Sequence, residues 1–286
     1  MRLDAETKLL GLLGSPVRQS LSPAMHNAAF EALKLNFCYL AFDVKHSELA
    51  TILKALVPLG FVGVNVTAPH KEAVISFLDC LSPEANSLGA VNTIKNIDGK
   101  LHGFNTDVYG FQYLLNKNFS KENLIGKICL LGAGGAAKAV SLALLKSGVN
   151  SLAIFNRSYS RAQELIHLFK KDELNIPEIK VFPLTREYLN NELADASIII
   201  NALSIDPFEL GLMPAKISES IKGVIDLRYN PPLSQFLMWA QNQNVQAING
   251  LDMLLGQGIK AFEIFTGLPA PQKIMENALV KSLARD

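Results

Sequence analysis

Ile128–Arg161, ICLLGAGGAAKAVSLALLKSGVNSLAIFNRSYSR, is the stretch whose pattern decides the fold. Ile128 to Leu131 is a short, continuous apolar run, as expected of a strand covered on both faces in a parallel sheet. Gly132, Gly134 and Ala137 then fill the slots of a G-x-G-x-x-(G/A) turn that opens a helix. The first glycine makes the tight turn, the second lets backbone approach a pyrophosphate, and the third position allows close helix packing. A second apolar run, Leu152 to Phe155, follows at the spacing of a βαβ unit. A dinucleotide is therefore expected over Gly132, Ala133, Gly134, Gly135 and Ala136, its phosphates at the helix N-terminus.

At the end of that second strand a unit that binds NAD carries an Asp or Glu for the ribose 2′-hydroxyl. Here the chain has Asn156, Arg157 and Ser158, then Arg161. Guanidiniums suit a 2′-phosphate dianion, which they hold through charge-assisted, often bidentate bonds. Positive charge in the first turn of a helix is unfavourable unless an anion neutralises it. NADP is expected in preference to NAD.

Outward from this unit, 286 residues with 49% hydrophobic content can bury a large core, and the length suggests two domains. A formal net charge of +1 without a dense basic run argues against nucleic acid or an anionic membrane as the main partner. No apolar run reaches membrane-spanning length and the start MRLDAETK lacks a signal peptide's apolar core, so a cytoplasmic protein is expected. Cys38, Cys80 and Cys129 are far apart, in apolar or mixed contexts and without histidine neighbours, so they read as reduced structural thiols and no metal is expected.

Before the βαβ unit, strands over Leu9–Leu13, Asn36–Asp43 and Gly60–Val66 alternate with helices after Pro23 and over Glu48–Leu56. The N-terminal part is thus expected to be a second open, mainly parallel α/β sheet. Its third strand ends in Asn65-Val66-Thr67-Ala68-Pro69-His70-Lys71, leading into a helix that would hold Lys71 in its first turn. His70 reads as a structural, surface position. Asn96-Ile97-Asp98-Gly99 signals a hairpin, and the strand after it ends in Asn105-Thr106-Asp107. Asp107 then either caps the following helix or faces Lys71 from a neighbouring strand end of the same sheet. Ser20 and Ser22 either cap a helix or point at a polyhydroxylated ligand.

After the βαβ unit come strands over Ile179–Pro183, Ala196–Asn201, Gly223–Asp226 and Gln246–Ile248, making a six-stranded doubly wound domain. Two helices, 251–266 and 271–284, close the chain. The first reads as apolar nearly all round except for Gln257, with Met253 one turn before it on the same face.

These motifs, in this order, resemble the shikimate dehydrogenase family along almost the whole chain. S-x-S-P-x-x-H-N appears as Ser20 to Asn27, N-V-T-x-P-x-K as Asn65 to Lys71, and G-A-V-N-T as Gly89 to Thr93. G-x-N-T-D appears as Gly103 to Asp107, G-A-G-G-A-A as Gly132 to Ala137 and N-R-S as Asn156 to Ser158. Tyr229-Asn230-Pro231 and Met253 to Gln257 complete the set. The resemblance implies that Ser20, Ser22, Asn65, Thr67, Lys71, Asn92, Asp107, Tyr229 and Gln257 bind shikimate, with Lys71 and Asp107 the catalytic pair. It also implies NADP on the glycine loop, on Asn156, Arg157, Ser158 and Arg161, and on Gly250 and Met253.

In one departure from the family pattern, Asn201-Ala202-Leu203-Ser204-Ile205-Asp206 stands where N-A-T-S-x-G is usual. In another, Phe265 replaces a common Trp before Thr-Gly.

The expected architecture is two open α/β domains with the active site in the cleft between them. Residues 1–106 with 250–286 would bind substrate, and the Rossmann-type domain 107–249 would bind NADP. The expected reaction interconverts shikimate and 3-dehydroshikimate in the pathway to aromatic amino acids. Lys71 would act as proton acceptor or as an ammonium that stabilises alkoxide character, oriented by Asp107. Rival expectations are a quinate/shikimate dehydrogenase with NAD tolerance and a non-catalytic metabolite sensor. A monomer and a homodimer fit equally.

Overall fold

The computed structural model describes residues 3–170 and 178–284. The chain divides into two compact units, Met1–Gly110 with Leu255–Asp286, and Phe111–Leu254. Both divisions fall a few residues beyond 106 and 249, because each lies inside a helix that runs unbroken through it. Among the described residues no helix is long and apolar enough to cross a membrane.

In the first unit β1 (Lys8–Gly14), α1 (Ser22–Ala32), β2 (Phe37–Asp43), α2 (Leu49–Leu56) and β3 (Phe61–Val66) wind a parallel β2-β1-β3 core. Then come β4 (Cys80–Leu81), α3 (Pro83–Leu88), β5 (Thr93–Ile97), β6 (Lys100–Phe104) and α4 (Asp107–Asn118). The strand order is β2-β1-β3-β5-β6-β4, and β5 runs antiparallel to both β3 and β6. The sheet is therefore mixed rather than mainly parallel, because the hairpin at Asp98-Gly99 reverses the chain once. Both turn residues take positive φ, 52° and 81°, as a tight two-residue hairpin turn demands.

This reversal positions the site. β3 and β6 are not neighbours; β5 lies between them, and its antiparallel direction brings its beginning to the end where β3 and β6 finish. One face of the sheet buries Leu13, Val64, Val66 and Ile94 against Leu49, Leu53 and Leu56 of α2. Phe30 of α1 stacks on Phe262 at a centroid distance of 5.5 Å.

The second unit holds β7 (Lys127–Leu131), α5 (Gly135–Lys146), β8 (Ser151–Asn156), α6 (Tyr159–Lys170), β9 (Glu178–Pro183), α7 (Arg186–Leu193) and β10 (Ala196–Asn201). β11 (Gly223–Asp226), α8 (Gln235–Gln241) and β12 (Gln246–Asn249) complete its sheet; α9 (Leu251–Thr266) and α10 (Gln272–Leu283) end the chain. All six strands are parallel in the order β12-β11-β10-β7-β8-β9, the doubly wound arrangement, and the chain reverses its winding between β7 and β10. β7 and β10 are buried almost throughout, which is why Ile128–Leu131 and Ile198–Ile200 read as unbroken apolar runs.

Candidate active site

The loops leaving β3 and β6 and the one entering β5 place Lys71, Asp107 and Asn92 together. Lys71 does not stand in the first turn of a helix; it lies in a turn, and only a 3₁₀ segment, Ala73–Phe77, follows. Its cation is met by Asp107, with Lys71 Nζ 2.7 Å from Asp107 Oδ2 and side-chain exposures of 23% and 9%. Asp107 is the first residue of α4, where the helix N-terminus favours a carboxylate. Its other oxygen, Oδ1, accepts from Asn92 Nδ2 at 2.9 Å.

Asn92 is 3% exposed and fully engaged. Its carbonyl must face the Thr106 N–H, which can only donate, at 2.8 Å. Its amide protons therefore go to Thr106 Oγ1 at 3.0 Å and to Asp107. Both Asp107 oxygens are thus held, and Lys71 keeps two of its three ammonium protons for another partner.

Asn65 joins the same network: its amide donates to the Asn92 carbonyl at 3.1 Å and to Thr93 Oγ1 at 2.9 Å. Thr67 is half-buried at the exit of β3. Ser20 accepts from the Ser22 N–H at 3.3 Å, and the buried Ser22 starts α1 without a side-chain cap on its N-cap residue Leu21. Gln257 is half-buried on α9, a helix that also carries the charged Asp252, Lys260 and Glu263, so it is less uniformly apolar than its sequence pattern suggested. Tyr229, in the second unit, is half-buried after β11, and burial raises its phenol's pKa. His70 is fully buried, its Nε2 2.6 Å from the Val44 carbonyl, and not at the surface. Cys38 and Cys129 are buried, whereas Cys80 is exposed on the two-residue β4.

On the second sheet Gly132 takes φ 109° as β7 leaves the core, a region that L side chains avoid, and a side chain there would press on Ala202 and Leu203. Gly134 is the N-cap of α5 with extended backbone and no side-chain cap, so the first N–H groups of this 12-residue helix lack an intrahelical partner. A Cβ on Gly134 or Gly135 would meet nothing within 4 Å. Uncapped donors beneath open space fit a pyrophosphate.

Arg157 and Arg161 are exposed and have no hydrogen-bond or ion-pair partner among the described residues, while Asn156 Nδ2 donates to the Ser158 carbonyl at 2.9 Å. These free guanidiniums fit a 2′-phosphate. Gly250 has a packing reason of its own, since any Cβ would strike the Leu227 carbonyl. Met253 is buried.

The Leu203–Asp206 departure has a structural partner that sequence reasoning missed. Arg228 Nη2 lies 3.0 Å from Asp206 Oδ2 and 2.8 Å from Asp226 Oδ2, joining the loops that leave β10 and β11. Asn201 and Ser234 also donate to Asp226, at 3.1 and 2.7 Å. A carboxylate where the pattern has glycine, 22 residues from an arginine, was the available signal.

Comparison with known proteins accords with this geometry. The shikimate dehydrogenase (NADP(+)) of Methanopyrus kandleri is 40% identical over 285 residues, covering 98% of each chain. The chain belongs to the shikimate dehydrogenase family. Three family descriptions match: "Shikimate dehydrogenase substrate binding domain" over residues 12–94, "Shikimate / quinate 5-dehydrogenase" over 114–208, and "Shikimate 5'-dehydrogenase C-terminal domain" over 250–280. Shikimate 5-dehydrogenase from Thermus thermophilus, solved in complex with NADP(H) and shikimate, is 35% identical at a TM-score of 0.84, covering 96% of this chain and 99% of that one. Quinate dehydrogenase from Corynebacterium glutamicum, solved with NAD, is 29% identical at the same TM-score of 0.84, with coverage of 96% and 99%.

Proposed function

We propose that the protein is an NADP-dependent shikimate dehydrogenase, interconverting shikimate and 3-dehydroshikimate in the synthesis of aromatic amino acids. The observation that carries this is the Lys71–Asp107 pair, fixed by Asn92, holding two unspent ammonium protons and linked through Asn92 to Asn65. A substrate with three hydroxyls and a carboxylate needs hydroxyl and amide partners; in this reading Ser20, Ser22, Asn65, Thr67 and Gln257 of the first unit take that role, Asn92 serves it by holding Asp107, and Tyr229 of the second unit is a further substrate-binding residue.

Oxidation of the 3-hydroxyl removes a hydride from carbon and a proton from oxygen. A nicotinamide held by the second unit would supply the hydride acceptor. Lys71 donates a hydrogen bond to the reacting oxygen and stabilises its alkoxide character, Asp107 holds Nζ aimed at that atom, and the released proton passes through Nζ to Asp107 Oδ2, 2.7 Å away. In the reverse direction the same ammonium polarises the ketone. Gly132 to Ala136 and the N-terminus of α5 take the pyrophosphate, and Asn156, Arg157, Ser158 and Arg161 take the 2′-phosphate. In this assignment the first unit binds substrate, the second binds NADP, and the protein works in the cytoplasm on a small molecule rather than on nucleic acid.

Steady-state assays of shikimate and quinate with NADP and with NAD test the proposal. Shikimate with NADP is expected to give the highest kcat/KM. Preference for quinate with NAD would replace the proposal by the quinate dehydrogenase alternative, and no turnover with any pair would reject dehydrogenase activity.

A further inference from the structure

Beneath the substrate-side network lies a buried layer to which the proposed reaction gives no task. Its centre is Tyr39 of β2, 0% exposed, whose ring stacks on the His26 imidazole with centroids 4.5 Å apart and planes at 10°. The Tyr39 backbone is clasped by Asn27: Asn27 Nδ2 donates to the Tyr39 carbonyl at 2.8 Å, and the Tyr39 N–H donates to Asn27 Oδ1 at 2.9 Å. β2 is an edge strand, so these bonds occupy backbone groups that no neighbouring strand reaches. Ring and backbone are both fixed, which leaves the phenol hydroxyl little freedom.

That hydroxyl crosses over β1. Leu10 pairs with Tyr39 and Leu12 with Asn65, and since side chains two apart share a face, Tyr39 and Asn65 lie on the same side of the sheet. Tyr39 Oη donates to Asn65 Oδ1 at 2.8 Å.

The chemistry of the neighbours settles which way the Asn65 amide points. The Asn92 backbone carbonyl can only accept, so Asn65 Nδ2 must face it. The second amide proton goes to Thr93 Oγ1, whose own proton goes to Asn92 Oδ1 at 3.0 Å. Asn65 has no proton left to give, and Tyr39 occupies one of the two lone pairs on Oδ1. What remains is one acceptor position.

We infer that Tyr39 is a positioning residue that fixes Asn65 as a hydrogen-bond acceptor, so that the site reads one ring hydroxyl of the substrate as a donor. This rests on the shikimate assignment above and adds the direction of one bond to it. A site built to bond a hydroxyl discriminates strongly against an analogue lacking it, because its own polar group is then left unpaired. An ether or ketone oxygen at that ring position would meet a lone pair and be excluded for the same reason.

Tyr39→Phe removes one oxygen and keeps the ring that stacks on His26. The KM for shikimate is expected to rise about 3- to 10-fold, the worth of one neutral hydrogen bond, with kcat within about twofold and the KM for NADP unchanged. With wild-type enzyme, either 4-deoxy- or 5-deoxyshikimate should lose roughly 5- to 150-fold, the cost of leaving a buried acceptor unpaired, and Tyr39→Phe should add little further loss on that analogue. An unchanged KM in a folded variant, equal losses in kcat and in both KM values, or fully additive losses would overturn the inference.

If the variant fails to fold, the side-chain amide resonances of Asn65 in the wild-type protein decide. Both protons should stay protected from exchange and shift little on adding shikimate, whereas transfer of either to the ligand would overturn the inference. A wild-type enzyme that does not turn over shikimate with NADP defeats the functional assignment itself; a Tyr39→Phe result against expectation in an active enzyme defeats only the role of Asn65.

Discussion

The loops that close around Lys71 and the loop that follows β8 are both strand exits of open sheets, yet they are prepared for ligands in opposite ways. Around Lys71 every amide proton of Asn65 and Asn92 and both Asp107 oxygens are engaged within the protein, leaving one ammonium and one carbonyl lone pair for a ligand. After β8, Arg157 and Arg161 are exposed and have no partner among the described residues. The difference matches the tasks. A neutral hydroxyl of defined geometry rewards donors and acceptors fixed in advance, whereas a dianion brings enough charge to order flexible guanidiniums itself.

The largest expected effect strikes the preorganised side. Lys71→Ala should lower kcat by about two to four orders of magnitude, the range for removing an acid/base or oxyanion-stabilising group, with a much smaller effect on shikimate binding. Asp107→Asn should also lower kcat, and the double variant should be little worse than Lys71→Ala alone, because residues acting as a unit are strongly non-additive. Fully additive losses would mean that the two residues act independently.

Next comes the open side, where Arg157→Ala should weaken NADP by roughly 10- to 100-fold, about 1.5 to 3 kcal/mol of charge-assisted bonding, and leave NAD almost unchanged. Its thermal midpoint should match the wild type, since the exposed side chain has no partner among the described residues. Equal losses for both cofactors, or a lowered midpoint, would erase the contrast between the two regions.

A smaller effect returns to the buried layer. His26 is completely buried with neither ring nitrogen hydrogen-bonded, and burial pushes its pKa down from 6.5 to about 3. The unfolded chain therefore takes up the proton first, so this contribution to stability is intact above pH 6.5 and is lost as pH falls toward 3. The limiting slope is about 1.4 kcal/mol per pH unit. Urea unfolding between pH 6.5 and 5 should show that slope in the wild type and a shallower one in His26→Phe; identical slopes would assign the acid sensitivity elsewhere.

How much of this was legible in the sequence follows from the range of each interaction. The βαβ unit announces itself because apolar runs, glycine slots and spacing are local, and β7, α5 and β8 fall where those signals place them. α3 had a local signal too, Ser82 before Pro83, and the Ser82 hydroxyl does accept from the Ala85 N–H. The helix expected at Lys71 reduces to a 3₁₀ segment because that backbone is tied to its neighbours: the His70 N–H bonds the Thr67 carbonyl and the Lys71 carbonyl accepts from Val91. Lys71 and Asp107, 36 residues apart, were legible because each is an ionisable group at a strand exit and because both close motifs that carry the family resemblance. Tyr39 with Asn65, 26 residues apart, carries no local mark, since an apolar strand position and a satisfied amide look ordinary in sequence.

The Asp206–Arg228–Asp226 contact makes its charges unequal in consequence. Arg228 is shared by two buried carboxylates, Asp206 at 3% and Asp226 at 0% exposure. Asp206→Gly would leave Arg228 its partner Asp226, whereas Arg228→Ala would leave both carboxylates without it, and removing one partner of a buried ion pair costs roughly 3 to 5 kcal/mol. The cation is the keystone of this junction, and the carboxylate that departs from the family pattern is the dispensable stone.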